Sequence, residues 1–130
     1  MIESQKIRIR GIPYPHTKST GNVQGCADWT AAIVKKTIGL PKIKGPCLLR
    51  VTFRLPREKF NGPTPFGADI DNLLKRLLDA LSQTVFSEAP GKDACVVSLE
   101  ATKVLAPNPS EAGVDGEIIQ IGALTNALSS

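Results

Sequence analysis

Residues 70–81 read IDNLLKRLLDAL, and Ile70, Leu73, Leu74, Leu77, Leu78 and Leu81 recur at intervals of three and four. At ~100° per residue this gathers six apolar side chains on one side of an α-helix. Asp71, Asn72, Lys75, Arg76 and Asp79 fall on the opposite arc. A helix this short and one-sided is marginal alone in water and needs an apolar surface to lie on. The segment LLRVTFRL (48–55) offers one. Its Leu49, Val51, Phe53 and Leu55 alternate with Arg50, Thr52 and Arg54, the period of a half-buried strand. The two patterns together predict a helix layer on a sheet.

The rest of the chain extends that plan. KIRIRGI (6–12) alternates Ile7 and Ile9 with Lys6, Arg8 and Arg10 and reads as a second strand. PYPHTKSTGNVQG (13–25) is a loop by composition. A helix follows from about Ala27 to Ile38, with Trp29, Ala32, Ile33 and Thr37 on one face, and Gly39 and Pro41 stop it. PREKFNGPTPFG (56–67) and FSEAPGKD (86–93) are turns, ACVVSLEATKVL (94–105) is β-rich, APNPSEAGVDG (106–116) is a loop, and EIIQI (117–121) is a short final strand. The order is β-α-β-α-β-β. The simplest architecture is a two-layer α+β domain, with two helices on one face of a roughly four-stranded mixed sheet. Strand order stays open. At 130 residues, with no repeat and no long linker, this is one domain over 1–130, whose tail from about 122 carries little structural signal.

Composition narrows the class. Hydrophobic residues make up 42% and charged residues 22%, as in soluble globular proteins. No apolar run approaches the ~20 residues of a transmembrane helix, and the N-terminus lacks a signal-peptide pattern. Cys26, Cys47 and Cys95 are too few and too widely spaced for a disulfide framework or a CxxC site, so they read as reduced core thiols of a cytoplasmic protein. With one histidine, His16, any metal here would depend on carboxylates, which select hard cations such as magnesium or manganese. Charge is uneven: residues 1–60 carry +9 and residues 61–130 carry −5, within a net +4. A basic half of that size suits an anionic partner.

The start of the 70–81 helix holds the most informative pair. Asp69 stands at or just before the first turn and Asp71 within it, with Lys75 one turn further on. Acids suit helix N-termini, so a capping role accounts for them without any function. Asp71 and Lys75 could likewise be a solvated i, i+4 ion pair. The functional alternative is a divalent-cation site. Two carboxylates one residue apart can point the same way if the first is not yet helical. A lysine nearby then serves phosphate chemistry by holding an oxygen or orienting water. Such a site needs a third carboxylate. Asp93, which ends a Gly-containing turn and opens a strand, is the natural candidate, with Glu88 in the same turn as the fallback.

Other features divide between function and structure. Lys6, Arg8 and Arg10 share one strand face, and Arg50 and Arg54 another. In one sheet they could join into a phosphate-binding surface, or simply form its solvent face. Lys18 in the first loop, and Arg57 and Lys59 in the second, are comparable. Trp29 and Phe53 read as core, and His16 as a bystander. Glu111, Asp115 and Glu117 read as solvated acids after a loop.

DIDNLLKRLLDAL followed by KDACVVSLEATK resembles the RusA family of Holliday junction resolvases, closely over about residues 69–103 and more loosely before them. The resemblance implies that Asp69, Asp71 and Asp93 bind metal and that Lys75 is catalytic. It makes Asn72 and Asp79 supporting positions and Lys103 a phosphate contact. It further implies a homodimer that cuts four-way, branched DNA with magnesium, serving recombination and repair, with one active site per cut strand. Two departures stand out. Lys92 occupies a place where the family often has an acid, in a somewhat longer turn, and GPTPFGA (62–68) precedes Asp69 where many members are basic. They motivate an alternative expectation, a RusA-like junction binder of weak or absent catalysis.

Overall fold

The computed structural model describes residues 3–15, 23–62 and 65–121. Its regular elements are β1 (Glu3–Arg10), α1 (Val23–Thr37), β2 (Cys47–Leu55), α2 (Ile70–Leu81), β3 (Val96–Leu105) and β4 (Gly113–Gln120), with short 3-10 turns at Arg57–Phe60, Lys92–Cys95 and Pro109–Glu111. The expected β-α-β-α-β-β order and the two-layer α+β architecture are present. The four strands lie in the order β1-β4-β2-β3. β4 runs antiparallel to both β1 and β2, and β3 runs parallel to β2. A parallel neighbour requires a crossover, and α2 lies in it.

Alternation does the work predicted of it. Cys47, Leu49, Val51, Phe53 and Leu55 of β2 are buried, as are Ile7 and Ile9 of β1 and Val114 and Ile118 of β4. Leu73, Leu74, Leu77, Ala80 and Leu81 of α2, and Trp29 and Ile33 of α1, close the same core. Each fully buried Leu, Val, Ile or Phe contributes roughly 1.5–3 kcal/mol. Two buried hydroxyls satisfy each other: Thr37 and Thr84 lie 2.7 Å apart, and Thr37 Oγ1 also donates to the Ile33 carbonyl. This joins the end of α1 to the turn after α2. The 86–95 segment is a chain of short turns (Ala89 N to Phe86 O, Lys92 N to Ala89 O, Ala94 N to Gly91 O) pinned by buried Phe86 and Ala89.

Two expectations need correction. The last strand begins at Gly113, not at Glu117, so part of the expected 106–116 loop is a central strand. Glycine and aspartate usually signal turns. Here Gly116 lies close to Val51, which a side chain there would crowd, and Gly113 is needed because the chain passes against the Ile9 carbonyl with φ 151°. Asp115 and Glu117 are therefore sheet residues, not free solvated acids. The first helix also begins earlier than expected, at Val23. His16, Lys18 and the tail from 122 lie outside the described residues.

The cysteines are buried and unbridged. Cys47 and Cys95 Sγ atoms are 3.9 Å apart where β2 starts beside the turn before β3. Burial, with Cys95 alongside, pushes the Cys47 thiol up to about 12. Because the thiolate is the nucleophile, Cys47 should resist alkylation at pH 8 in the native protein and react once unfolded, measurable by mass spectrometry. Gly113→Ala should cost about 2–4 kcal/mol, read by urea unfolding, because a Cβ there collides with backbone rather than a movable side chain.

Candidate active site

α2 runs antiparallel to β2 and β3, so its first turn stands at the C-terminal ends of those strands. Lys103, near the end of β3, fixes this. Its Nζ donates to the carbonyl oxygens of Phe66 (2.8 Å) and Ala68 (2.9 Å), on the chain entering α2. Gly67 between them adopts φ 79°, a conformation that favours glycine, and lies against the end of the Leu55 side chain. Further along α2, Arg76 donates to the Pro15 carbonyl (3.1 Å) and to Thr30 Oγ1 (3.2 Å), tying the helix to α1 and the first loop. No sequence pattern announced either clamp, because both join residues far apart in the chain.

At this fixed point Asp69 is not yet helical (φ −59°, ψ 134°), while its carbonyl accepts the first helical hydrogen bond, from Leu73 N. Its side chain makes no capping hydrogen bond. Asp71 Oδ1 accepts the adjacent Asn72 N–H, at 3.0 Å. Both aspartates are exposed, as is Lys75. Among the described residues no ion pair joins Lys75 to Asp71 or Asp79. Among the described residues neither a cap bond at Asp69 nor an i, i+4 ion pair is thus present, while Asp71 takes up one free N–H of the first turn. What the arrangement offers is two exposed carboxylates, Asp69 without a cap bond and Asp71 with one oxygen engaged, one turn from an exposed ammonium at a helix start whose backbone is held in place. Hard oxygen donors of this kind fit magnesium or manganese.

Asp93 lies elsewhere. It sits in the 3-10 turn before β3, beside the Cys47–Cys95 contact at the N-terminal end of the strand. Ten residues of chain separate it from Lys103, and the strand between them spans roughly 20 Å at ~3.3 Å per residue. The ~18 Å length of α2 gives the same separation. Within one copy Asp93 does not reach Asp69 and Asp71, and no group of three metal-ligating side chains forms among the described residues. Glu88 lies in that same distant turn and pairs with Lys44 at 3.4 Å.

The basic strands share one sheet face, opposite the helices, but β4 runs between them. Asp115 Oδ2 meets Arg54 at 2.6 Å, and its Oδ1 meets Arg8 at 3.1 Å and Arg10 at 3.9 Å. Arg50 pairs with Glu100 (3.4 Å) and Glu117 (3.6 Å). The expected basic surface is therefore a mixed-charge face, and these arginines are partly neutralised before any phosphate arrives. Lys103, expected to meet phosphate directly, has two of its three N–H groups engaged in the loop clamp.

Replacing Asp69 and Asp71 together by Ala, which unlike Asn cannot cap a helix, should change stability by less than about 0.5 kcal/mol, as at an ordinary surface site. Loss of a true cap would cost ~0.5–2 kcal/mol. Thermal unfolding of the double variant separates the two.

Among curated proteins none matches this chain. A family model does: Endodeoxyribonuclease RusA, over residues 16–114. That span takes in α1, β2, α2, β3 and the acidic helix start, well over half of the chain. Among the described residues no helix is long and apolar enough to cross a membrane. The chain belongs to the RusA endodeoxyribonuclease family, whose members act on Holliday junctions.

Proposed function

We propose that this protein is a magnesium-dependent, structure-specific endonuclease that resolves four-way DNA junctions by paired symmetric nicks, acting as a homodimer. The observation that carries the reading is the carboxylate pair at the start of α2. Asp69 and Asp71 are exposed, Asp69 makes no capping bond, and Lys75 is one turn away. Asp69 and Asp71 would hold the cation, with Asp93 as third ligand and manganese as a substitute metal. A bound divalent cation supplies Lewis-acid charge beside the scissile phosphate and favours a nucleophilic water. Lys75 offsets the negative charge that develops on the phosphate. The products carry a 5′-phosphate and a 3′-hydroxyl.

Asp93 gives the homodimer a chemical purpose. β3 is an edge strand, and Val97, Leu99, Val104 and Leu105 along it are 38–46% exposed. The other edge, β1, carries Lys6, Arg8 and Arg10, which discourage strand pairing. If two copies pair antiparallel along β3, the start of each β3 lies beside the end of the other. Asp93 of one copy then approaches Asp69 and Asp71 of its partner, completing a site that a single copy leaves with two ligands.

A second reading is a weak or inactive junction binder, favoured by the two-ligand site of the single copy. Cleavage of a synthetic mobile four-way junction, with magnesium and with EDTA, separates them. Endonuclease function predicts paired nicks that vanish in EDTA. Asp71→Asn should slow cutting on the order of 10²-fold or more, since a catalytic metal supplies several kcal/mol. Binding without cutting in magnesium and manganese would establish the second reading. Mixing Asp71→Asn with Asp93→Asn protein tests the shared site. Each variant alone should be inactive, and their heterodimer should regain one intact site and nick one strand. No recovery on mixing would place all three carboxylates in one copy.

A further inference from the structure

Phe66 is the most solvent-exposed large hydrophobic residue among those described, at 79%. A single exposed apolar side chain is ordinary on a protein surface. This one is built in. Its own carbonyl oxygen is held by Lys103 Nζ at 2.8 Å, so the backbone beneath the ring is fixed. The next residue, Gly67, turns with φ 79° directly against Leu55, and Phe60 lies close by. With Gly67 facing the core, Phe66 is turned outward. Phe66 stands three residues before Asp69 in the chain, on the segment that leads into the carboxylate pair. The residues between them, Gly67 and Ala68, are uncharged, and Lys103, the cation held against this backbone, already gives two of its N–H groups to it.

The partner chemistry of an exposed phenyl ring on a held backbone, beside the proposed phosphodiester site, is the face of a nucleobase. Bases within continuous duplex are stacked on both sides and unavailable. Bases at a branch point are the ones that can be unstacked cheaply, and apolar side chains stabilise such openings. We infer that Phe66 stacks on a nucleobase next to the scissile phosphate, unstacked at the branch point, and so helps the enzyme select branched over linear DNA. This rests on the junction-endonuclease reading above. Lys103 acts here as a positioning residue, holding the backbone that presents the ring.

The test is single-turnover cleavage of a four-way junction by wild type, Phe66→Ala, Phe66→Leu and Phe66→Trp. It is repeated on junctions carrying one abasic site at each position flanking the cut. Stacking on a base predicts about tenfold slower cutting for Ala and Leu, and near wild-type cutting for Trp. All four proteins should share one thermal midpoint, because the ring is exposed. One abasic position should slow the wild type to the rate of Phe66→Ala and slow that variant no further. Cleavage by Phe66→Ala within twofold of wild type would overturn the inference while leaving the endonuclease reading intact. So would an equal loss in Ala, Leu and Trp, which marks a steric role, or the absence of any abasic position that removes the difference. Wild-type protein that neither binds nor cuts branched DNA would overturn both readings.

Discussion

The packing of α2 on the sheet is the contact on which the other features depend. Leu73, Leu77 and Leu81 are almost fully buried against β2 side chains such as Leu49, Val51 and Phe53. That contact sets the direction of the helix, antiparallel to β2 and β3, and so puts its N-terminus at the C-terminal ends of both strands. Lys103 and Arg76 then remove the remaining freedom. One holds the chain before the first turn and the other ties the helix to α1. A cation site needs ligands that do not wander. Here rigidity comes from buried leucines and two long basic side chains, not from the acids themselves.

The charge asymmetry of the chain acquires a different meaning once folded. The basic first half and acidic second half meet within one sheet, because β4 inserts between β1 and β2. Asp115 serves three arginines, Arg8, Arg10 and Arg54, and Arg50 is shared by Glu100 and Glu117. Exposed pairs of this kind contribute ~0–1 kcal/mol each. Their larger effect is on the surface potential, since arginines already facing carboxylates attract phosphate less strongly. The helix side of the molecule, with exposed Lys75 one turn from Asp69 and Asp71, is the feature on which the proposed DNA chemistry rests.

The two edges of the sheet differ in a way that bears on assembly. β1 presents cations along its outward face, a common protection against strand addition. β3 is lined by half-exposed valines and leucines and lies next to the turn carrying Asp93. Family membership brings expectations about DNA junctions. In the proposed homodimer, that apolar edge and the distance between Asp93 and the other two acids would be the physical route to them.

The sequence by itself determined the layers. Periods of 3.6 and 2 in IDNLLKRLLDAL and LLRVTFRL dictate which faces are buried, whatever the strand order, because solvent exclusion acts on each element separately. It also marked Asp69, Asp71 and Lys75, whose spacing is local and survives in any fold that keeps the helix. Only the tertiary structure decided the order β1-β4-β2-β3, because pairing joins residues distant in the chain. That order turned Asp115 from a loop acid into the partner of three arginines and made Gly113 and Gly116 strand residues. It likewise made Lys103 a clamp and set Asp93 the length of a helix away from Asp69. None of these could be read from local spacing, since each depends on where a whole strand ends, and strand ends are fixed by the packing of the sheet.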